Sequence, residues 1–205
     1  MKKAFLGIDT SNYTTSCAAV DEEGKIIAFK KAPLKVVDGQ RGLRQSDAVF
    51  AHVKQFPEVF SEVLQQADEY RICSVCVSVK PRDCEDSYMP AFVPGKSFAQ
   101  VAAQSLKVPV FYTTHQRGHI AAALISNEDL QPPFIAVHLS GGTTDFVRVD
   151  VNGHIVPFAS SQDIHAGQVV DRIGVRLGLP FPSGKHLEEL AVNFTPTGRF
   201  SAIVK

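Results

Sequence analysis

The feature that most constrains the fold is an order of elements that occurs twice. Residues 4–9 form a strand-like apolar run, and Thr10 to Thr14 a polar turn. Thr15 to Val20 reads as a returning strand, Asp21 to Gly24 as a second turn, and Lys25–Lys31 as a third strand. After a long helical pattern come a strand at Ile72–Val79, a helix at Ser97–Leu106 and a strand at Val108–Thr113. Strand, helix, strand implies a parallel pair joined by a crossover. From His115 the order returns coarsely: a helix at 115–126, a strand at 134–139, a Gly-Gly turn and a strand at 144–150. A turn at Asn152-Gly153, a strand at 154–160 and a helix at about 165–178 complete it. A three-stranded meander feeding α/β elements, met twice, predicts an α/β protein of two related halves, 1–113 and 114–205.

The long helix is expected to start at Ser46 or Asp47 as cap. Its apolar stripe is Val49, Phe50, Val53, Phe56, Phe60, Val63, Leu64 and Ala67, with Pro57 kinking it. Of the 205 residues 44% are hydrophobic and 20% charged, enough for a buried core and too apolar for a disordered chain. With 21 acidic and 21 basic residues there is no global basic field, so RNA binding would need a local patch or a partner protein. The apolar run after Met1-Lys2-Lys3 ends at Asp9, too short for a signal peptide, and nothing approaches a transmembrane span. Cys17, Cys73, Cys76 and Cys84 read as reduced cysteines in or near a core, and the cytoplasm follows as the expected compartment.

Two motifs carry chemistry. In His115-Gln116-Arg117-Gly118-His119 the imidazoles are four residues apart, on one face of a helix, where they suit a single zinc or ferrous ion. In Leu139-Ser140-Gly141-Gly142-Thr143-Thr144-Asp145 a Gly-Gly turn between apolar strands can aim backbone N–H groups at an anion. Asp9-Thr10-Ser11 makes a comparable polar hairpin in the first half, a possible phosphate loop. His138 and His165 are possible extra ligands. His138 lies inside a strand and also reads as a packed residue. Asp171, with apolar neighbours at helical spacing, is placed to hydrogen-bond a ribose or orient a metal-bound water; a salt bridge to Arg172 or Arg176 is its plain alternative. Gly184 offers bare backbone to a sugar or base. Pro94-Gly95-Lys96-Ser97 and Ser183-Gly184-Lys185 lack the first glycine of a P-loop, although a helix beginning after Lys96 would hold an anion weakly.

Together these residues resemble the TsaD/Gcp family, formerly called O-sialoglycoprotein endopeptidase. The matching positions are Ile8-Asp9-Thr10-Ser11, His52, His115 and His119, Leu139-Ser140-Gly141-Gly142, Asp171 and Pro182-Ser183-Gly184. The resemblance implies an actin/Hsp70/sugar-kinase-like (ribonuclease H-like, ASKHA) fold whose second domain is incomplete here. It implies transfer of a threonylcarbamoyl group from threonylcarbamoyl-adenylate to N6 of adenosine 37 in tRNA. His115 and His119 would bind Fe2+ or Zn2+; His138, Leu139, Ser140, Gly141, Gly142, Asp171 and Gly184 would hold ATP or the adenylate. No side-chain nucleophile is required. The partners implied are tRNA reached through a complex and TsaB- and TsaE-like proteins, without a membrane; a second copy of the chain is expected separately, because an incomplete second domain would leave apolar strand edges uncovered. The family's usual His after Ser-Gly-Gly is Thr143 here. Its Gly-Pro-Gly loop is Lys80-Pro81-Arg82, and its Ser-Cys-Asp is Ser11-Asn12-Tyr13. Members are longer than this chain, which is therefore expected to be a truncated, divergent paralogue. A non-catalytic, nucleotide-binding assembly partner is the alternative. A zincin peptidase is disfavoured because Gln116 stands where its general-base Glu belongs.

Overall fold

A computed structural model describes residues 1–11, 13–36, 43–127, 129–140, 142–192 and 194–195. The chain opens with β1 (Lys2–Ser11), β2 (Thr14–Asp21) and β3 (Ile26–Pro33), paired antiparallel in sequence. Ala4, Leu6, Ile8 and Thr10 alternate inward along β1, so its buried side is apolar up to a threonine. The first turn is tighter than expected: Ser11 still pairs with Thr14, and Thr10 with Thr15. At the second turn Gly24 has φ +79°, and Asp21 Oδ1 accepts the amides of Glu23 and Lys25.

Helix α1 (Gln45–Gln66) runs on through Pro57. Its cap is Arg44, without a side-chain hydrogen bond, and the expected caps Ser46 and Asp47 lie in its first turn. The buried positions are Ala48, His52, Phe56, Val59 and Val63. The expected stripe therefore holds from Phe56 onward but not before it, since Phe50 is 66% and Val53 45% exposed. A small residue and a histidine take the inner face there, which apolarity alone does not reveal.

Strand β4 (Tyr70–Lys80) pairs parallel with β1, and β5 (Val110–Thr114) parallel with β4, with α2 (Phe92–Leu106) as the crossover. The five-stranded sheet has the order β3-β2-β1-β4-β5. Helix α2 starts five residues before the expected Ser97. Pro94 sits in its first turn, where a missing N–H costs nothing. The Gly95 amide donates to Thr10 Oγ1 at 3.2 Å, and a Cβ on Gly95 would lie 2.5 Å from that oxygen. Gly95 is thus there for close approach of α2 to β1. Lys96 lies inside the helix, which removes the anion site expected at a helix start after it. The core joins Leu6, Ile8, Cys17, Ala19, Val75 and Val77 of the sheet to Phe56, Val59 and Val63 of α1 and Ala99 and Ala103 of α2. The rings of Phe56 and Phe98 stack at 4.2 Å between centroids. All four cysteines are free thiols: Cys17 is buried, which pushes its thiol up to about 12, whereas Cys84 is exposed, outside any core.

After β5 come α3 (His115–Ser126) and a three-stranded sheet of β6 (Phe134–Leu139), β7 (Thr144–Val149) and β8 (Ile155–Ser160), in that order. Helices α4 (Ala166–Arg176) and α5 (Gly184–Ala191) follow; α5 was not expected from the sequence. By packing, the chain divides into Met1–Ala136 with Arg148–Val156, and Val137–Val147 with Pro157–Lys205. Among the described residues no helix is long and apolar enough to cross a membrane.

Candidate functional site

The first unit gathers its polar groups at the C-terminal end of β1. Because β1 alternates, Thr10 points into the core while Asp9 and Ser11 face the other way. Thr114, at the end of β5, caps α3 by accepting the Arg117 amide at 3.2 Å, and so starts the helix at His115. His115 Nδ1 lies 2.9 Å from Asp9 Oδ2, and Asp9 Oδ1 accepts the Ser11 amide at 2.9 Å. One turn later His119 brings its Nε2 to 2.9 Å from His115 Nε2, with the rings edge to face at 4.4 Å. Burial acts to raise the Asp9 carboxyl. The hydrogen bond and charge of His115, then the hydroxyls of Ser78 and Ser11, outweigh it and hold the group below its ordinary value. The His119 imidazole is lowered, first by burial and then by His115, against the pull of Asp9.

This arrangement fixes a tautomer. In the neutral ring of His115 a carboxylate at Nδ1 favours the proton there, which leaves the Nε2 lone pair to face His119. A carboxylate behind one imidazole, with two Nε2 atoms close enough to share one small cation, fits divalent metal binding. The pair is two of the three or four protein ligands such sites use. Among the described residues no group of three or more His, Cys, Asp or Glu side chains is gathered as a metal cage.

Behind the hairpin lies a second polar cluster. His52 Nδ1 is 2.8 Å from Thr15 Oγ1, which donates to Gln55 Oε1 at 3.1 Å. Thr10, Thr15 and His52 are fully buried. Burial lowers the His52 imidazole, opposed by the Ser11 backbone and the Asp9 charge.

In the second unit the expected phosphate turn is closed on itself. Ser140 Oγ accepts the amides of Gly142 at 3.1 Å and Thr143 at 2.9 Å, and lies 2.6 Å from Thr143 Oγ1. Gly141 lies outside the described residues. The Ala166 amide at the start of α4 donates to Thr144 Oγ1 at 2.8 Å, and the Gly167 amide to the Ser140 carbonyl at 3.2 Å. Two of the donors expected to face an anion are therefore satisfied internally. Asp171 does not make the expected alternative bridge to Arg172 or Arg176. Its Oδ1 accepts the Ser183 amide at 2.8 Å, which draws the segment before Gly184 against α4. Gly174 allows this: a Cβ there would fall 2.1 Å from Ser183 Cβ. Asp171 and Gly184 are thus brought together. Leu139 is 58% exposed and His138 half-buried in β6, while His165 caps α4 by backbone position alone. Ser78, Asp83 and the Thr15–Gln55 pair carry no local signal, because each acts through a partner distant in the chain.

Residues 26–203 match the family described as tRNA N6-adenosine threonylcarbamoyltransferase, TsaD. The chain belongs to that family. A tRNA N6-adenosine threonylcarbamoyltransferase of Fervidobacterium nodosum is 30% identical over 193 residues, 93% of this chain and 56% of the relative. One of Prochlorococcus marinus is 33% identical over 152 residues, 73% of this chain and 41% of the relative. The chain thus spans about half the length of the curated relatives it matches. Among solved structures, the ethanolamine utilization protein EutJ of Carboxydothermus hydrogenoformans superposes with TM-score 0.56 at 14% identity, covering 92% of this chain and 62% of that one. Component A of the Acidaminococcus fermentans (R)-2-hydroxyglutaryl-CoA dehydratase does so with TM-score 0.55 at 14% identity, covering 98% and 62%. The fold of the TsaD chain is accordingly the actin/Hsp70/sugar-kinase-like one that the motif resemblance implied.

Proposed function

We propose that this TsaD chain carries the metal-binding and adenylate-binding part of a threonylcarbamoyltransferase acting on N6 of adenosine 37 in tRNA. The carrying observation is the Asp9–His115–His119 line, a partly buried carboxylate orienting the first of two imidazoles whose Nε2 atoms meet. His115 and His119 would hold Fe2+ or Zn2+, which when bound supplies a Lewis acid for the carbamoyl or phosphate oxygens. Asp9 keeps His115 in the tautomer that offers Nε2 outward, and the Ser11 amide and Ser78 hydroxyl keep Asp9 ionised. The stretch His138 to Gly142, with Asp171 and Gly184, would hold ATP or threonylcarbamoyl-adenylate, and Asp9-Thr10-Ser11 a phosphate. Rotation of the Ser140 hydroxyl away from the Gly142 and Thr143 amides would release two donors toward a phosphate or a developing oxyanion. We read the halves as 1–113 and 114–205, the cytoplasm as the compartment, and tRNA, TsaB- and TsaE-like proteins and a second copy as the partners.

The second reading is a nucleotide-binding assembly partner without catalysis. The self-closed Ser140 turn and the clipped Lys80–Arg82 segment favour it. Calorimetry of the full chain with Zn2+ or Fe2+ under anaerobic conditions, then with ATP, tests both. Binding of metal that is lost in His115→Ala supports the first reading, and absence of both metal and nucleotide binding ends it. Complementation of a strain lacking the tRNA-modifying enzyme separates the two: rescue excludes the non-catalytic reading.

A further inference from the structure

We propose that Asp83 and Arg117 form a latch tying the segment between β4 and α2 to the first turn of α3, and so set where His115 and His119 sit. Most helices are oriented by an apolar stripe, but α3 is not: its one fully buried residue is Gln116, a polar side chain. The ties of its first turn are polar. His115 reaches Asp9, the Gln116 amide donates to the Pro81 carbonyl at 3.0 Å, and the Arg117 amide is capped by Thr114. Arg117 Nε donates to Asp83 Oδ2 at 2.7 Å, with the Asp83 side chain only 22% exposed. Two of these four ties, Pro81 and Asp83, come from the β4–α2 connection. That connection is itself folded back, with Lys80 Nζ on the Cys84 carbonyl at 2.8 Å and the Arg82 amide on Ser87 Oγ at 2.9 Å.

A partly buried charge pair with a forked donor is directional, so it fixes an angle as well as a distance. Arg117 sits between the two histidines on the same helix, and a rotation of α3 at this turn moves both imidazoles together. The paired carboxylate also offsets a guanidinium that would otherwise repel a cation at the histidines. Asp83 and Arg117 are positioning residues in this proposal, since they act on the imidazoles through the first turn of α3. The inference deepens the proposed metal reading, and its consequence for metal rests on that reading, but the latch itself is testable in the metal-free chain.

The test compares Asp83→Asn, Arg117→Gln and the charge-exchanged double variant Asp83→Arg with Arg117→Asp, all in the full chain. Hydrogen exchange is expected to speed up in residues 81–91 and in the α3 amides together in each single variant. The imidazole nitrogen shifts of His115 are expected to move with it, and the exchanged pair to restore both. Titration with Co2+ is expected to show about tenfold weaker binding in each single variant, as for other losses of a supporting partner. Unchanged exchange in α3, or a change in the connection alone, overturns the latch. If exchange and the His115 shifts respond while Co2+ binds the variants as it binds the parent, the positioning role is overturned. If the parent binds no Co2+ but the exchange coupling and its rescue are seen, the latch stands and the metal reading falls.

Discussion

The two turns that carry the site motifs solve opposite problems with similar residues. In the first unit Asp9, Ser11, His115 and His119 leave two imidazole nitrogens facing each other 2.9 Å apart. In the second, Ser140 and Thr143 spend their hydroxyls on their own turn and take up the amides of Gly142 and Thr143. On the proposed reading the first arrangement would be completed by a cation. The second must first lose an internal bond before it gains an external one. On the proposed reading an anion would compete with a side chain already in place, whereas a metal ion would compete with the hydrogen bond between the imidazoles of His115 and His119.

The contrast is broken most directly at His115. His115→Ala removes one of two ligands and should weaken Zn2+ or Co2+ binding at least about 100-fold, more than the roughly 10–100-fold that loss of an outer partner costs; titration calorimetry reads it. Asp9→Asn removes that outer partner, and metal affinity should fall by roughly 10–100-fold. Asp9 is held below its ordinary value in the fold, so its contribution to stability is present above the unfolded-state value of 3.8 and is lost as pH falls below it. Denaturant melts from pH 5 to pH 2 should show a shallower acid loss in Asp9→Asn. In the second unit, Gly174→Ala places a Cβ against Ser183 and should cost about 1–3 kcal/mol by overpacking, seen as a lower denaturation midpoint. Ser140→Ala sharpens the comparison: stability should fall by about 1 kcal/mol, while ATP binding in calorimetry tightens because the two amides are no longer occupied. Weaker ATP binding there would show that the hydroxyl serves the ligand instead of obstructing it. The smallest effect is expected at His52, whose imidazole is lowered from 6.5. The unfolded chain takes up a proton there before the folded one, so stability is lost as pH falls from 6.5 to the folded value. His52→Gln should flatten that slope.

Much of this was legible in the sequence because it is local. The strand at residues 4–9, the Asp21–Gly24 turn and the helical spacing of His115 and His119 are short-range signals, and each is found where it was expected. Helix α1 was legible from Phe56 onward and misread before it, since Ala48 and His52 are buried where Phe50 and Val53 carry the apolar signal. The start of α2 was hidden by Pro94 and Gly95, which look like breakers; only Thr10, 85 residues away, explains the glycine. The same distance problem governs the site. Nothing near His115 announces Asp9, which lies 106 residues earlier, and nothing near Asp171 announces that the Ser183 amide will take its carboxylate in place of an arginine. Helix α5 has eight residues, too few for a periodic stripe to stand out.

The alternation of β1 has a consequence for what mutation can do to this molecule. Asp9 and Thr10 are adjacent, yet one faces His115 and the other packs against α2. A slip of one residue in the pairing of β1 with its neighbours would exchange them, driving a carboxylate beneath the sheet and lifting a methyl-bearing alcohol to the histidines. Insertions or deletions between Ala4 and Thr10 are therefore penalised twice, and the apolar residues at 4, 6 and 8 act as a ruler that keeps the acid on the side of His115.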